Sequence, residues 1–186
     1  MTLILGIDPG SRKTGFGIIN AVGTKAEYIT SGIIRLPEGA LPERLKIIFD
    51  SLSALISEYR PTTMAVEDIF LARDPRAALK LGQARGAAIA AGTNAGLSVA
   101  EYAARLVKQS VVGTGAANKS QVQFMVTRLL KLSAAPAEDA ADALAVALCH
   151  ARTLGTASGL SRGIQYSRGR IKSMPGVGGE QGSPVK

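Results

Sequence analysis

Tryptophan is absent, aromatic residues make up 4% of the chain, and 186 residues include one cysteine and one histidine. Each scarcity removes a class of explanation. A single thiol closes no internal disulfide, so Cys149, set in an apolar helical run, reads as a packing residue. His150 fits no zinc-ligand spacing. With so few rings, the core has to be built from Ala, Leu, Ile and Val, and a hydrophobic content of 46% is enough for one. No apolar run is long enough to span a membrane. The four apolar-rich residues ahead of Asp8 follow no basic segment, so they do not form a secretory signal. The expectation is a cytoplasmic protein of a reducing compartment.

Positive charge is in excess, at a formal net +8. It is uneven. Residues 1–72 carry seven Lys/Arg against eight Asp/Glu, 73–131 nine against two, 132–150 none against three, and 151–186 six against one. A basic middle segment bracketed by neutral and acidic ones suggests a polyanionic partner, with nucleic acid leading. Solvated helix faces are the alternative.

The stretch LILGIDPGSRKTGFGII at 3–19 organises the chain. Its pattern predicts a buried strand ending in Asp8, a tight turn, and a second strand over 15–21. Asp8 either caps the Pro-Gly turn or ends a buried strand, where a carboxylate needs a positive partner. Arg12, Lys13 and a metal ion are the candidates for that partner. A third strand over 27–36 completes an antiparallel meander. Apolar residues at 45, 48, 49, 52, 55 and 56 predict a helix from Pro42 that ends at Arg60-Pro61. A short strand, TTMAVED, follows and ends in Glu67 and Asp68.

Residues 75–95 predict a second helix, with Gly82 and Gly86 in line with Ala78 and Ala90. Glycine weakens a helix relative to alanine. Such a stripe therefore implies close approach of another backbone, either the chain's own sheet or a second copy. A strand over 97–101, a basic then Gly-rich segment over 104–114, a helix capped by Asn118 running to Leu132, and a helix over 138–154 complete the order. From 156 the composition turns to Gly, Ser, Arg and Pro, which reads as a flexible basic tail over 156–186 beyond a domain over 1–155. The expected fold is α/β, a mixed five-stranded sheet flanked by helices.

Asp139 and Asp142 are three residues apart and share a helix face, where like charges repel. The helix dipole favours Asp139 in the first turn but accounts less well for Asp142, further in. Taken with Asp8 and Glu67, they make four carboxylates from two strand ends and one helix. That is the donor set of a hard-cation site such as Mg²⁺. A pair of such ions suits phosphodiester hydrolysis.

The segments GIDPGSRKTGFGII at 6–19, AVEDIF at 65–70, ALKLGQARGAAI at 78–89, EYAARLVKQSVVGTGAANKSQVQ at 101–123 and DAADALAVALCH at 139–150 together resemble the RuvC family of bacterial Holliday-junction resolvases. The resemblance covers 1–155 and implies a ribonuclease-H-like fold and a homodimer. It implies an endonuclease of recombination and repair that uses two Mg²⁺ per site (Mn²⁺ substituting) to make paired symmetric nicks in four-way DNA junctions. Carried over by position, Asp8, Glu67, Asp139 and Asp142 match the catalytic, metal-holding tetrad. Lys108 and Lys119 match basic residues of the DNA cleft, and Phe70 matches an aromatic that meets unpaired bases. RuvA and RuvB are implied partners. Where the family has Gln or a similar residue after the Glu, this chain has Asp68, an extra acid beside the site.

Two rival readings have their own discriminators. An actin-like or sugar-kinase ATPase opens with the same GID-x-G hairpin, but it needs a second domain and a second phosphate loop. A catalytically inactive nucleic-acid-binding module would do better without four acids facing phosphates.

Overall fold

The computed structural model describes residues 1–23, 25–68, 75–163, 165–167 and 170–173, with side chains described as far as 156. Among the described residues, five strands, four helices and the first part of a fifth form the first compact unit, Met1–Arg152. Strands β1 (Thr2–Asp8), β2 (Lys13–Val22) and β3 (Lys25–Arg35) make the meander. After α1 (Leu41–Tyr59), β4 (Thr63–Asp68) returns parallel to β1. After α2 (Pro75–Asn94), β5 (Ser98–Ala103) lies parallel to β4. The sheet order is β3-β2-β1-β4-β5, the expected mixed five-stranded sheet. Helices α3 (Ala104–Val112), α4 (Lys119–Leu129) and α5 (Glu138–Gly163) follow.

Strand alternation sorts the core into two layers. Leu5, Ile7, Ile18, Met64 and Val66 face α1 and α2, packing on Ile48, Leu52, Ala84 and Ala88. Ile4, Ile19, Ala65 and Tyr102 face the other way, onto Val107, Val122, Val126 and the apolar residues of α5.

Glycines decide how close α5 comes. Gly6 pairs with Gly17 across β1 and β2, and Gly15 pairs with Asp8. A Cβ built on Gly6 would lie 2.2 Å from the Ala143 carbonyl oxygen, on Gly15 2.0 Å from that of Asp139, and on Gly17 2.6 Å from the Leu144 side chain. The sheet surface under α5 is thus stripped to backbone, and the helix lies directly on it.

Several expectations change. Residues 104–112 form α3, whose buried Val107 and Val111 are one turn apart. Asn118 caps α4 as expected, through a reciprocal capping box with Gln121. The last helix runs past 154 to Gly163, into the stretch read as a tail. In the second unit, Thr153–Lys186, the described residues contribute the end of that helix and two short antiparallel strands, β6 (Gln165–Ser167) and β7 (Arg170–Ser173). The Gly82/Gly86 stripe does not meet the sheet. A Cβ on either residue would have open space, and α2 turns Ala84, Ala88, Ala91 and Gly92 inward instead.

Candidate active site

The four carboxylates meet on the α5 side of the sheet. Asp8 follows Gly6 by two residues and Glu67 follows Ala65 by two, so both project from adjacent parallel strands toward α5. Asp139 and Asp142 enter from the first two turns of α5, set there by the bare glycine strip beneath Asp139.

Their electrostatics are those of crowded like charges. Burial first, and then the charge of Glu67 and Asp142, pushes the Asp8 carboxyl up to about 8. Burial and the Asp142 charge raise Glu67, while its hydrogen bond with Asp8 works the other way. Asp8 and Glu67 thus hold a proton between them, and burial with crowding raises both. Burial also raises Asp142, with Lys119 opposing. Arg12 and Lys13 are exposed and do not neutralise Asp8. Asp8 does not cap the turn: the Thr14 hydroxyl accepts from the Gly10 N–H at 3.4 Å.

Two basic residues stand beside these acids. Lys119, at the first position of α4, binds Glu138 and lies 3.7 Å from the Asp142 carboxylate. Lys108 on α3 lowers Glu67 and Asp142 electrostatically. Phe70 lies outside the described residues. Asp68 belongs to the other face, where Arg85 of α2 holds it at 3.2 Å and also pairs with Glu101. Neighbouring strand residues point to opposite faces, so the strand pattern alone separates Asp68 from Glu67.

The donors are oxygen only and crowded, and Asp8, Glu67 and Asp142 are raised in pKa, which fits a hard divalent cation. Among the described residues, no three acidic, histidine or cysteine side chains are already grouped as a complete metal-ligand set. The raised carboxyls make stability in chelator depend on pH. A carboxyl raised in the folded state stabilises below its unfolded pKa of 3.8 and loses that contribution as pH climbs toward 8. Tm in chelator is expected to fall by roughly 5 °C between pH 5 and pH 8. Mg²⁺ should restore it most at pH 8, and Asp8→Asn should flatten the slope. An equal slope in wild type and variant, measured by calorimetry, would remove Asp8 as its source.

Residues 4–150 match the family model described as crossover junction endodeoxyribonuclease RuvC. The chain is 58% identical over 175 residues to the enzyme of that name from Teredinibacter turnerae, covering 91% of this chain and 99% of the relative. It is 60% identical over 153 residues to that of Aeromonas hydrophila, covering 82% and 88%. Among solved structures, Thermus thermophilus RuvC in complex with a Holliday junction substrate aligns with a TM-score of 0.79 at 34% identity, over 85% of this chain and 98% of that one. The yeast mitochondrial Holliday junction resolvase shares the fold at 13% identity and a TM-score of 0.64, covering 86% of this chain and 81% of that one. No helix among the described residues is long and apolar enough to cross a membrane. Matched over nearly its whole ordered sheet-and-helix unit, the chain belongs to the RuvC family of crossover junction endodeoxyribonucleases.

Proposed function

We propose that this chain, a crossover junction endodeoxyribonuclease by family, resolves four-way DNA junctions at the centre formed by Asp8, Glu67, Asp139 and Asp142. The observation that carries the reading is the electrostatic contact of these four acids at one end of α5, with Asp8, Glu67 and Asp142 raised in pKa, beside Lys108 and Lys119. Such a cluster opposes DNA phosphate unless cations intervene. The four carboxylates would hold two Mg²⁺ ions, which when bound supply activation of the attacking water and stabilisation of the leaving oxygen. Asp8, central to the cluster, is the carboxylate suited to serve both ions. Lys119 restrains Asp142 and Glu138 until phosphate competes for its ammonium group, and Lys108 adds positive potential along the same edge. Phe70, three residues beyond Glu67, is assigned to unpaired bases at the crossover.

Mixing the protein with a four-way junction, a duplex and a flap, each with and without Mg²⁺, tests the reading. Paired nicks on the junction in Mg²⁺ are expected. Equal cutting of the duplex would overturn junction selectivity, and cutting in chelator would overturn the metal assignment. Lys119→Ala should lower the slope of log affinity against log salt by about one. An unchanged slope in a binding titration would take Lys119 off the DNA path.

Pairing two nicks calls for two centres, and a four-way junction is roughly two-fold, so the working unit is a homodimer. The exposed face of α2 supports this: Leu79 is 64% exposed and Gly82 and Gly86 leave open space beside it. A mass by light scattering that stays monomeric at all concentrations would remove the dimer. The nuclease domain is assigned to 1–155 with a basic tail beyond, and nicking by a chain shortened to 155 tests that boundary. Cytoplasmic action beside RuvA and RuvB follows from the family alone, and co-purification tests it.

A further inference from the structure

A small-residue interface brings two elements close. Along the stripe of α5 that faces the sheet stand Asp139, Ala143, Ala147 and His150, spaced four, four and three residues apart. A Cβ on Gly6 would meet the Ala143 carbonyl oxygen and the Ala147 methyl and nitrogen, and one on Gly15 the Asp139 carbonyl. Such contacts set how near the helix lies to the sheet. On this stripe, His150 supplies side-chain hydrogen bonds to the strands. Its ring is 5% exposed, its Nδ1 lies 2.7 Å from the Tyr102 hydroxyl and its Nε2 lies 3.1 Å from the Thr63 hydroxyl.

One assignment of donors satisfies every one of these contacts. The Ser98 carbonyl only accepts, so the Thr63 hydroxyl donates to it at 3.1 Å. Thr63 then accepts from Nε2–H, and Nδ1 accepts from the Tyr102 hydroxyl. Burial favours the neutral ring that this tautomer requires. Every polar atom of the imidazole is satisfied, and the chain ties α5 to two strands at once. These strands matter for the centre: Tyr102 is the β5 partner of Glu67, and Thr63 lies four residues before Glu67 on β4. His150 lies eight residues past Asp142, about 12 Å along the helix.

We propose that the buried chain Tyr102–His150–Thr63 is a positioning device: it sets the axial register of α5 against β4 and β5, and thereby the separation of Asp139 and Asp142 from Glu67. His150 touches no reacting group. It acts as a latch at the far end of a helix whose near end carries two of the four acids. A displacement near 1 Å at such a centre is worth up to about 100-fold in rate, so register here is a catalytic quantity. The proposal rests on the reading of the four carboxylates as the reaction centre.

Tyr102→Phe tests it, because that variant keeps the ring and removes the hydroxyl. The expected result is a roughly 10-fold to 30-fold fall in single-turnover nicking at saturating junction, with half-saturating Mg²⁺ raised several-fold. The Mg²⁺-induced rise in Tm should shrink, as weaker ion binding demands. Junction affinity in chelator should stay within about twofold, since the latch is buried away from the DNA-facing lysines. Thr63→Val cuts the other end of the chain and should move the same three readouts, which keeps the test open if one variant folds poorly. Ser98→Ala, which removes only the side hydroxyl 3.0 Å from Thr63, should leave nicking unchanged. Lower Tm with wild-type nicking and wild-type Mg²⁺ dependence in both Tyr102→Phe and Thr63→Val would reduce the chain to scaffold and overturn the proposal. Asp8→Asn run in parallel separates the two levels. If that variant still nicks, the reaction centre itself is misassigned. If it is dead while the latch variants are unaffected, only the latch fails.

Discussion

Asp8→Asn is expected to leave junction binding within about twofold of wild type and to reduce nicking by roughly 1000-fold or more. The substitution is nearly isosteric, and the amide can donate to Glu67 across the hydrogen bond the two carboxyls now share, so the local structure has no reason to move. What disappears is the charge available to a cation, at the residue closest to both Glu67 and the α5 acids. Binding is expected to survive because the phosphate contacts proposed above, Lys108, Lys119 and the rest of the basic middle segment, are untouched, and removing one buried acid lessens repulsion toward phosphate. A gel-shift titration in chelator, paired with single-turnover cleavage in Mg²⁺, separates these effects. Cleavage within tenfold of wild type would sink the metal role of Asp8. The same variant should be more stable than wild type at pH 8 without metal, a site in which stability is given up for function.

Gly15→Ala should damage both fold and chemistry. Its Cβ would stand 2.0 Å from the Asp139 carbonyl oxygen and 2.6 Å from the carbonyl carbon, both backbone atoms that no rotamer change can move aside. Either β2 bends or the start of α5 lifts, at a cost of about 3 kcal/mol. In a chain of this size that is roughly a 10 °C fall in Tm. Lifting α5 carries Asp139 and Asp142 with it, so nicking measured well below Tm should fall by more than tenfold. Gly82→Ala is the control: open space surrounds that position and alanine is the better helix former, so Tm of the unassembled chain should rise slightly. Wild-type cleavage by Gly15→Ala would show that α5 does not depend on the glycine strip for its place.

Both effects have sources of unequal visibility in the sequence. Asp8 at the end of an apolar strand, and the Asp139/Asp142 pair three residues apart on a helix, are local patterns that invite a cation. Gly15 gave no comparable signal, because a glycine in a strand does not say which backbone approaches it. Of the two approaches the Gly82/Gly86 stripe allowed, the chain's own sheet is excluded: these residues face outward, and the tight contact with the sheet is made at Gly6, Gly15 and Gly17 under α5. Helix α3 is weakly marked in the sequence because its buried positions, Val107 and Val111, stand among Arg105, Lys108, Gln109 and Ser110. His150 was weighed as a zinc ligand and dismissed. Its place on the Asp139–Ala143–Ala147 stripe was the overlooked signal.

By itself, the sequence determined the strand and helix periods, the mixed sheet, the four acids, the basic segment between them and the family. These are local or near-local quantities, set by side-chain alternation and by which residue types a segment contains. Only the tertiary structure decided that Asp68 turns away to Arg85, that burial beside Glu67 raises Asp8, that Lys119 reaches Asp142, and that α5 lies on bare backbone with His150 bonded to Tyr102 and Thr63. Those facts depend on register between segments tens of residues apart, and register is set by packing across the whole core.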